Sequence, residues 1–237
     1  MQRLKFLEQR KGTMNKRYNI LLFDLDDTLL DFTGNEKKAI STVLERYGLP
    51  CGEDVLEAYY NLDNWQTFMM GDISAKTVIT NRFSVLLKIL EAENIKELAD
   101  EYYSLMLSSH KLINGALKLL RRLKSEGYKL YITTNGYPEF QYKRIKDARI
   151  ANCFDGIFIS EEIDLRKPTP AFYKYVFNRV PESKLSNILI IGDAQTSDIL
   201  GGINAGIDTC WYNPNGRKGR YRPTYQIKTY EELEKIL

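Results

Sequence analysis

The chain has 237 residues, of which 43% are hydrophobic and 27% are charged, and its formal net charge is +3. This composition is typical of a globular protein, and so small a positive charge argues against a dedicated nucleic-acid binder. No apolar run approaches the roughly 20 residues that a membrane-spanning helix needs, so we expect no membrane partner.

The cysteines and the histidine exclude several kinds of site. Cys51, Cys153 and Cys210 are far apart and form no CxxC pair, which indicates a reducing compartment rather than a disulfide framework. The single histidine, His110, excludes a His-rich metal site and argues against a Ser-His-Asp hydrolase. Residues 1–13 are basic and lack the apolar region of a secretory signal. We treat them as an accessory N-terminal extension and expect a cytoplasmic protein.

The first predicted strand, residues 18–23, is an apolar run that ends at three carboxylates, Asp24, Asp26 and Asp27. Such a run is typical of a buried strand in a parallel sheet, and ligands of these sheets bind outside the carboxyl ends of the strands. Residues two apart in extended backbone point to the same side, so Asp24 and Asp26 can face one site. Two adjacent carboxylates repel strongly unless a cation or a proton lies between them, and the expected cation is Mg²⁺, which prefers oxygen ligands.

The next segment, residues 31–110, contains no convincing strand and has helical periodicity instead. Helices are expected at residues 36–47, 55–69, 74–91 and 96–109. About 80 residues is too long for an ordinary crossover, which needs little more than a dozen. We therefore predict a helical cap domain inserted over the strand ends.

Three side chains of this segment are candidates for substrate specificity. Trp65 and Phe68 lie three residues apart on one predicted helical face, and Arg82 follows on the next helix. The two aromatic rings can pack the core of the cap itself. The alternative is that they form a platform that stacks on a nucleobase.

The remainder of the chain alternates strands with helices. Strands are predicted at residues 128–134, 156–160, 187–191 and 208–212, and helices at 115–125, 138–149, 170–178, 197–205 and 229–236. This alternation predicts an α/β fold, a doubly wound (Rossmann-like) parallel sheet built from residues 14–30 and 111–237. Thr229 and Glu232 have the spacing of a capping box at the start of the last helix. The basic loop that precedes this helix, residues 213–223, is expected to be solvated surface.

Polar residues follow three more strands of this sheet. Thr134 and Asn135 lie at a glycine turn after the second strand. Lys167 follows Arg166 and precedes a proline, beyond the third strand. Asp193 and Asp198 follow the fourth strand. Together with the first strand end, they provide carboxylates for a metal, a hydroxyl and an amide for phosphate oxygens, and a fixed ammonium.

In this order the four segments resemble the motifs of the haloacid dehalogenase superfamily. The matching segments are DxDxT at 24–28, TNG at 134–136, KPxP at 167–170 and GDxxxxD at 192–198. The resemblance covers about residues 18–212. The helical segment between the first two motifs is similar to the C1 cap of that superfamily.

The resemblance implies a role for each motif residue. Asp24 would be the nucleophile that forms an aspartyl-phosphate, and Asp26 the general acid and base. Mg²⁺ would be bound by the Asp24 carboxylate, the Asp26 backbone carbonyl and Asp193, with Asp198 supporting the metal site and orienting Lys167. Phosphate would be held by Thr134, Asn135 (through its backbone N–H) and Lys167. Thr28 is expected to position Asp26, and no direct catalytic role is expected for Asp27 or Asp31.

One branch of the superfamily is especially similar around residues 23–32, 134–137 and 196–202. It comprises the bacterial pyrimidine 5′-nucleotidases that act on noncanonical nucleotides. The implied partner is a small phosphomonoester such as UMP, dUMP or dTMP, cleaved by a monomer or homodimer. Other phosphatases of sugar phosphates or small metabolites, a phosphomutase of the β-phosphoglucomutase type, and a phosphoaccepting regulatory switch remain as alternatives. Asp26 and the large cap argue against the switch because both serve turnover.

Overall fold

The computed structural model describes residues 17–62, 75–181 and 184–237. Within these ranges the strands are β1 (Ile20–Phe23), β2 (Lys129–Thr134), β3 (Gly156–Ile159), β4 (Ile188–Gly192), β5 (Asp208–Tyr212) and β6 (Tyr225–Ile227). All pair in parallel in the order β3-β2-β1-β4-β5-β6. The predicted doubly wound α/β sheet is therefore confirmed. The sequence analysis missed β6, whose three residues are too few to show a strand pattern.

The helices among the described residues are α1 (Phe32–Arg46), α2 (Glu53–Asn61), α3 (Ala75–Ile89), α4 (Ile95–Leu107), α5 (Ala116–Ser125), α6 (Pro138–Asp147), α7 (Ser160–Ile163), α8 (Pro170–Phe177), α9 (Leu200–Ala205) and α10 (Tyr230–Glu234). The first of them begins earlier than predicted because the Asp31 carboxylate accepts a hydrogen bond from the Gly34 N–H at 3.0 Å. A turn of π-helix at Gln195–Ile199 precedes α9.

The last helix is capped differently from the prediction. Thr229 occupies the N-cap position of α10, but its side chain makes no capping hydrogen bond. The Glu232 carboxylate instead accepts from the backbone N–H of Lys228 at 2.6 Å. The helix is confirmed, and the carboxylate caps it one residue earlier than a capping box would.

The strand order places the ends of β1 and β4 side by side. After β1 the chain builds β2 and β3 on one flank, then returns to place β4 on the other flank. Phe23 pairs with Ile191 at the ends of the two strands. This is the point where the strand order reverses, which is where open α/β sheets bind ligands. Asp24 and Asp193 follow directly.

Side chains of β1 alternate between two apolar cores. Leu21 and Phe23 pack into the cluster on the α5 and α10 face, whereas Ile20 and Leu22 pack into the cluster on the α8 face. This alternation follows from the two-residue period of a strand. Burial on both faces fixes the register of β1 and thereby the position of the carboxylates that follow it.

The helical segment after β1 has an apolar cluster of its own. Tyr59, Phe83 and Tyr102, from α2, α3 and α4, are fully buried in it. Tyr137 and Phe140, from the start of α6, pack into the same cluster and join it to the sheet side of the molecule. None of the helices in the described ranges is long and apolar enough to cross a membrane.

Candidate active site

The motif side chains meet around a cavity of about 280 Å³ at the carboxyl ends of the strands. Asp24 continues β1, since its backbone N–H donates to the Ile191 carbonyl at 2.9 Å. The lining of the cavity includes the predicted residues Asp24, Asp26, Thr134, Asn135, Lys167, Asp193 and Arg82. The sequence-derived candidates thus lie around one cavity, except Asp198, which lies just behind it, and Trp65 and Phe68, which fall outside the described residues.

Lys167 is the fixed cation of the site. Its Nζ lies 2.7 Å from Asp24 Oδ1, 2.6 Å from Asp198 Oδ1 and 2.8 Å from the Thr133 carbonyl oxygen. These three acceptors use all three ammonium donors. Burial alone would lower the pKa of Lys167, but Asp198 and Asp24 raise it above its usual value, so the side chain stays charged.

Asn135 holds the backbone of Lys167. Its side-chain amide donates to the Lys167 carbonyl at 2.9 Å, and its side-chain oxygen accepts from the Lys167 N–H at 3.0 Å. The Asn135 side chain therefore positions the lysine. Its predicted contribution to phosphate binding through the backbone stays a prediction.

Three carboxylates converge beside this lysine. Oxygen atoms of Asp24, Asp193 and Asp198 all lie within 4.8 Å of one another. Burial raises the pKa of Asp24 well above its usual range, an effect that Lys167 opposes and the neighbouring carboxylates reinforce. Burial and then Asp198 raise the pKa of Asp193 to about 7, although Arg217 opposes them. A site with this excess of buried negative charge and only oxygen donors fits Mg²⁺.

The second motif carboxylate, Asp26, faces a different set of partners. Gln141 Nε2 donates to Asp26 Oδ2 at 2.9 Å and to Thr134 Oγ1 at 3.0 Å. Arg144 Nη2 lies 2.7 Å from Asp26 Oδ1, and the Arg144 side chain is fully buried. The Asp26 side chain is thus held apart from the three-carboxylate group. Any contribution of Asp26 to the metal through its backbone carbonyl stays a prediction.

Gln141 and Arg144 were missed by the sequence analysis. Both lie on α6, and the Arg144 Nη1 donates to Gln141 Oε1 at 3.0 Å. Arg144 Nε also donates to the carbonyl of Ser109, where the helical segment rejoins the sheet. The available signal was a pair of polar residues three apart, one turn beyond the TNG motif, which place both side chains on one face of the helix.

Thr28 and Arg217 both contact Asp193. The fully buried Thr28 hydroxyl accepts from the Asp193 N–H at 3.0 Å, so it holds the backbone of Asp193, and its role in positioning Asp26 stays a prediction. Arg217, in the loop predicted to be solvated surface, lies with Nη2 3.0 Å from Asp193 Oδ2. The same nitrogen donates to the Asp193 carbonyl, which Trp211 Nε1 also contacts at 2.8 Å.

The two other acidic residues after β1 make local contacts with α1 and with Lys111. The Asp27 carboxylate accepts from the backbone and the hydroxyl of Thr33 at 2.9 and 2.5 Å. Asp31 caps α1 and lies 2.7 Å from Lys111 Nζ. These contacts fix the loop that carries Asp26.

Arg82 reaches the opposite end of the cavity from α3. Its Nη1 lies 3.8 Å from Oε1 of Glu36, a carboxylate that is 2% exposed on α1. Its guanidinium also lies over the ring of Tyr59, 4.2 Å from the centroid. The predicted position of Arg82 beside the site is therefore consistent with the structure, while Glu36 was not identified from the sequence.

Residues 21–212 match the family described as haloacid dehalogenase-like hydrolase. The Bacillus subtilis protein YfnB, which carries the name of a HAD-hydrolase, is 40% identical over 227 residues, covering 94% of this chain and 96% of YfnB. Its magnesium-bound crystal structure superimposes with a TM-score of 0.83, at 39% identity, over 94% of this chain and 99% of that one.

Two further relatives carry more specific names. The pyrimidine 5′-nucleotidase PynA of Streptococcus pneumoniae is 34% identical over 221 residues, or 91% of this chain and 93% of PynA. The pyrimidine 5′-nucleotidase YjjG of Escherichia coli is 28% identical over 225 residues, or 93% of this chain and 98% of YjjG.

Proposed function

Because this chain belongs to the haloacid dehalogenase-like hydrolase family, we propose that it hydrolyses phosphate monoesters with Mg²⁺ through an aspartyl-phosphate on Asp24. The observation that carries the proposal is the buried Asp24 carboxylate, which lies 2.7 Å from Lys167 and within 4.8 Å of two more carboxylates. A nucleophile, a fixed cation and a cation-binding oxygen cluster thus share one cavity.

In the first step, an Asp24 oxygen forms a bond to phosphorus and the bond to the ester oxygen breaks. The leaving oxygen takes its proton from the carboxyl group of Asp26. Thr134 and Lys167 hold the phosphoryl oxygens, for which Lys167 gives up one of its three acceptors, and the Lys167 charge offsets the negative charge that develops on these oxygens. Asp24 and Asp193, with Asp198 behind them, would hold Mg²⁺, which would supply further positive charge to the phosphoryl oxygens.

In the second step, water attacks the phosphorus of the aspartyl-phosphate and Asp26 takes the proton from that water. The bond between phosphorus and the Asp24 oxygen breaks, which restores the carboxylate and releases phosphate. Asp26 must keep one orientation through both steps. Gln141 at 2.9 Å and Arg144 at 2.7 Å support that orientation.

The proposed substrates are pyrimidine nucleoside monophosphates such as UMP, dUMP and dTMP. The names of PynA and YjjG support this class. The small cavity supports it as well, because aromatic and aliphatic side chains of Phe32, Val78, Ile79 and Phe140 line it and suit a flat ring. On this proposal the products are a nucleoside and inorganic phosphate.

The helical segment 31–110 is proposed to act as the cap over this site, with residues 14–30 and 111–237 as the catalytic core. Tyr137 Oη and Tyr103 Oη lie 2.5 Å apart across the two parts, beside the cavity. A cap that packs on α6 in this way can shield the phosphoryl group from water between the two steps.

The test is phosphate release from a panel of phosphomonoesters, measured with Mg²⁺ and with EDTA. We expect release that depends on Mg²⁺ and is fastest with UMP, dUMP or dTMP. Preference for sugar phosphates would retain the mechanism and reject the nucleotidase assignment. A stable phosphorylated Asp24 without phosphate release would reject hydrolysis altogether.

A further inference from the structure

A buried polar cluster lies at the end of the cavity away from Asp24. It consists of Glu36 from α1, Tyr60 from α2 and Arg82 from α3, and we call it the cap cluster. The Arg82 guanidinium pairs with the Glu36 carboxylate at 3.8 Å, and it lies 5.5 Å from the centroid of the Tyr60 ring. All three side chains line the cavity.

Two polar atoms of the cap cluster are buried without a hydrogen-bond partner among the described residues. They are Nε of Arg82 and the hydroxyl oxygen of Tyr60. The neighbouring tyrosines differ, because Tyr59 and Tyr102 donate to Glu36 Oε1 at 2.7 and 3.1 Å. A buried polar atom left without a hydrogen bond destabilises the folded protein. A molecule that enters the cavity and hydrogen-bonds to both atoms would therefore be stabilised by these contacts.

The charge of the cluster restricts what that molecule can be. Glu36 compensates the Arg82 guanidinium, so the pair adds no net charge that would attract a second anionic group. The fully buried atoms still open to bonding are the Arg82 Nε–H and the Tyr60 hydroxyl, which suit a carbonyl oxygen and an adjacent polar atom. The walls between the cluster and Asp24 are apolar, with Val78, Ile79 and Phe140 among them. Such walls favour a flat ring over a polyhydroxylated sugar.

We propose that the cap cluster recognises the base of the leaving nucleoside, with Arg82 Nε and Tyr60 Oη bonding to a ring carbonyl and a neighbouring polar atom of a neutral planar base. This inference rests on the proposed nucleotidase function and names the residues that select the base. The catalytic residues at the other end of the cavity do not contact that part of the substrate, so base selection and phosphoryl transfer are separable.

The experiment compares kcat/KM for UMP with kcat/KM for ribose 5-phosphate, which carries the ester without a base. Tyr60→Phe removes only a hydroxyl that has no hydrogen-bond partner among the described residues, so its Tm should stay within about 2 °C of the wild-type value. We expect it to lower the UMP-to-ribose 5-phosphate ratio about 5-fold, and Arg82→Gln to lower the ratio about 10-fold or more.

Matched controls carry the same substitutions elsewhere on the helical segment. Arg46 forms an ion pair with Glu101 at the surface and is 60% exposed, and Tyr47 is 37% exposed. Arg46→Gln and Tyr47→Phe should leave the ratio unchanged because neither side chain lines the cavity. Their Tm values also show how much the same type of substitution changes stability at a position outside the cavity.

Each outcome decides between the two levels of the proposal. A wild-type enzyme that prefers UMP, together with a lowered ratio in Tyr60→Phe and Arg82→Gln, supports the inference. A preference for UMP that both variants retain overturns the role of the cap cluster and leaves the nucleotidase function intact. A wild-type enzyme that hydrolyses ribose 5-phosphate as well as UMP overturns both.

Discussion

The two ends of the cavity differ in how their charged side chains are held. At the catalytic end, Lys167 Nζ has three acceptors between 2.6 and 2.8 Å, and Asp26 is held by two side chains of α6. At the cap end, Arg82 Nε and Tyr60 Oη are buried without a described partner. The catalytic end is thus preorganised for a group common to all phosphate esters. At the cap end, the unpaired atoms can bond to the leaving group of the ester, which differs from one substrate to another.

This contrast predicts that variants of the two ends differ in their effects on activity. Changes at the catalytic end should lower kcat for every ester by the same factor, since the phosphoryl group is the same in all of them. Changes in the cap cluster should alter the choice between esters. A substitution that behaves in the opposite way would show that the two ends are not independent.

The largest effect is expected for Asp24→Asn. An amide cannot form the acyl phosphate, so kcat should fall at least about 10³-fold for UMP and for ribose 5-phosphate alike. The Tm should not fall, because the substitution removes a carboxylate whose pKa is raised by burial. Steady-state phosphate release and thermal unfolding measure the two quantities.

Asp27→Asn is the matched control for that variant. Asp27 has a backbone φ of 55°, a conformation that asparagine also adopts, and the amide oxygen can still accept from Thr33. We expect kcat to change less than about 3-fold, since this side chain makes structural contacts only. Activity in Asp24→Asn comparable to that of Asp27→Asn would remove Asp24 as the nucleophile.

A smaller but uniform loss is expected for Arg144→Met. Without the guanidinium, Asp26 loses its partner at 2.7 Å, and general acid–base catalysis contributes about 10²–10⁴-fold. We expect kcat to fall about 10²-fold with little change in KM, and Arg144→Lys to recover part of the loss. The pH dependence of kcat should change as well, which a purely structural role of Arg144 would not cause.

Arg122→Met serves as the control for Arg144→Met, because Arg122 is a 44% exposed arginine that pairs with Glu126 on α5. It should retain wild-type kcat. A large rise in KM for one ester only in Arg144→Met would place Arg144 with substrate selection and break the division between the two ends.

The sequence predicted the catalytic end better than the cap end, because the residues of the catalytic end lie in short local motifs. Asp24 and Asp193 follow strands directly and Lys167 lies in the KPxP segment, so all three candidates could be identified from short local patterns. The fold was predictable for the same reason, because alternating strands and helices are local signals. The exception was β6, which has only three residues.

Partners that arise from tertiary packing could not be predicted in this way. Gln141 meets Asp26 from 115 positions away, and Tyr102 meets Glu36 from 66 positions away. In the sequence these residues lie in ordinary amphipathic helices, where a buried polar group is indistinguishable from a surface one. Arg217 likewise lies in a basic loop, and only the return of that loop to the strand ends brings it to Asp193.

The smallest expected effect concerns the pH dependence of stability at the cap end. Burial raises the pKa of Glu36 above its usual value of 4.5, although Arg82 and the hydroxyls of Tyr59 and Tyr102 oppose the shift. The folded protein therefore binds this proton more tightly than the unfolded chain. Glu36 then costs stability progressively as the pH rises from about 4.5 through its folded pKa, and has no such effect below that window.

Glu36→Gln removes this titration, so its Tm relative to the wild type should rise as the pH increases from about 4.5 through the folded pKa of Glu36 and be level at lower pH. Only the slope is diagnostic, because loss of the ion pair with Arg82 shifts the Tm at every pH. Glu57→Gln, at an exposed position of α2, supplies the baseline for removing one carboxylate. Calorimetry resolves the change, since about 1 kcal/mol moves the Tm of a protein of this size by about 2–4 °C. A relative Tm that falls with pH would mean that Arg82 outweighs burial. The cap cluster would then be a strong ion pair, and its unpaired Arg82 and Tyr60 atoms would be less available to a substrate.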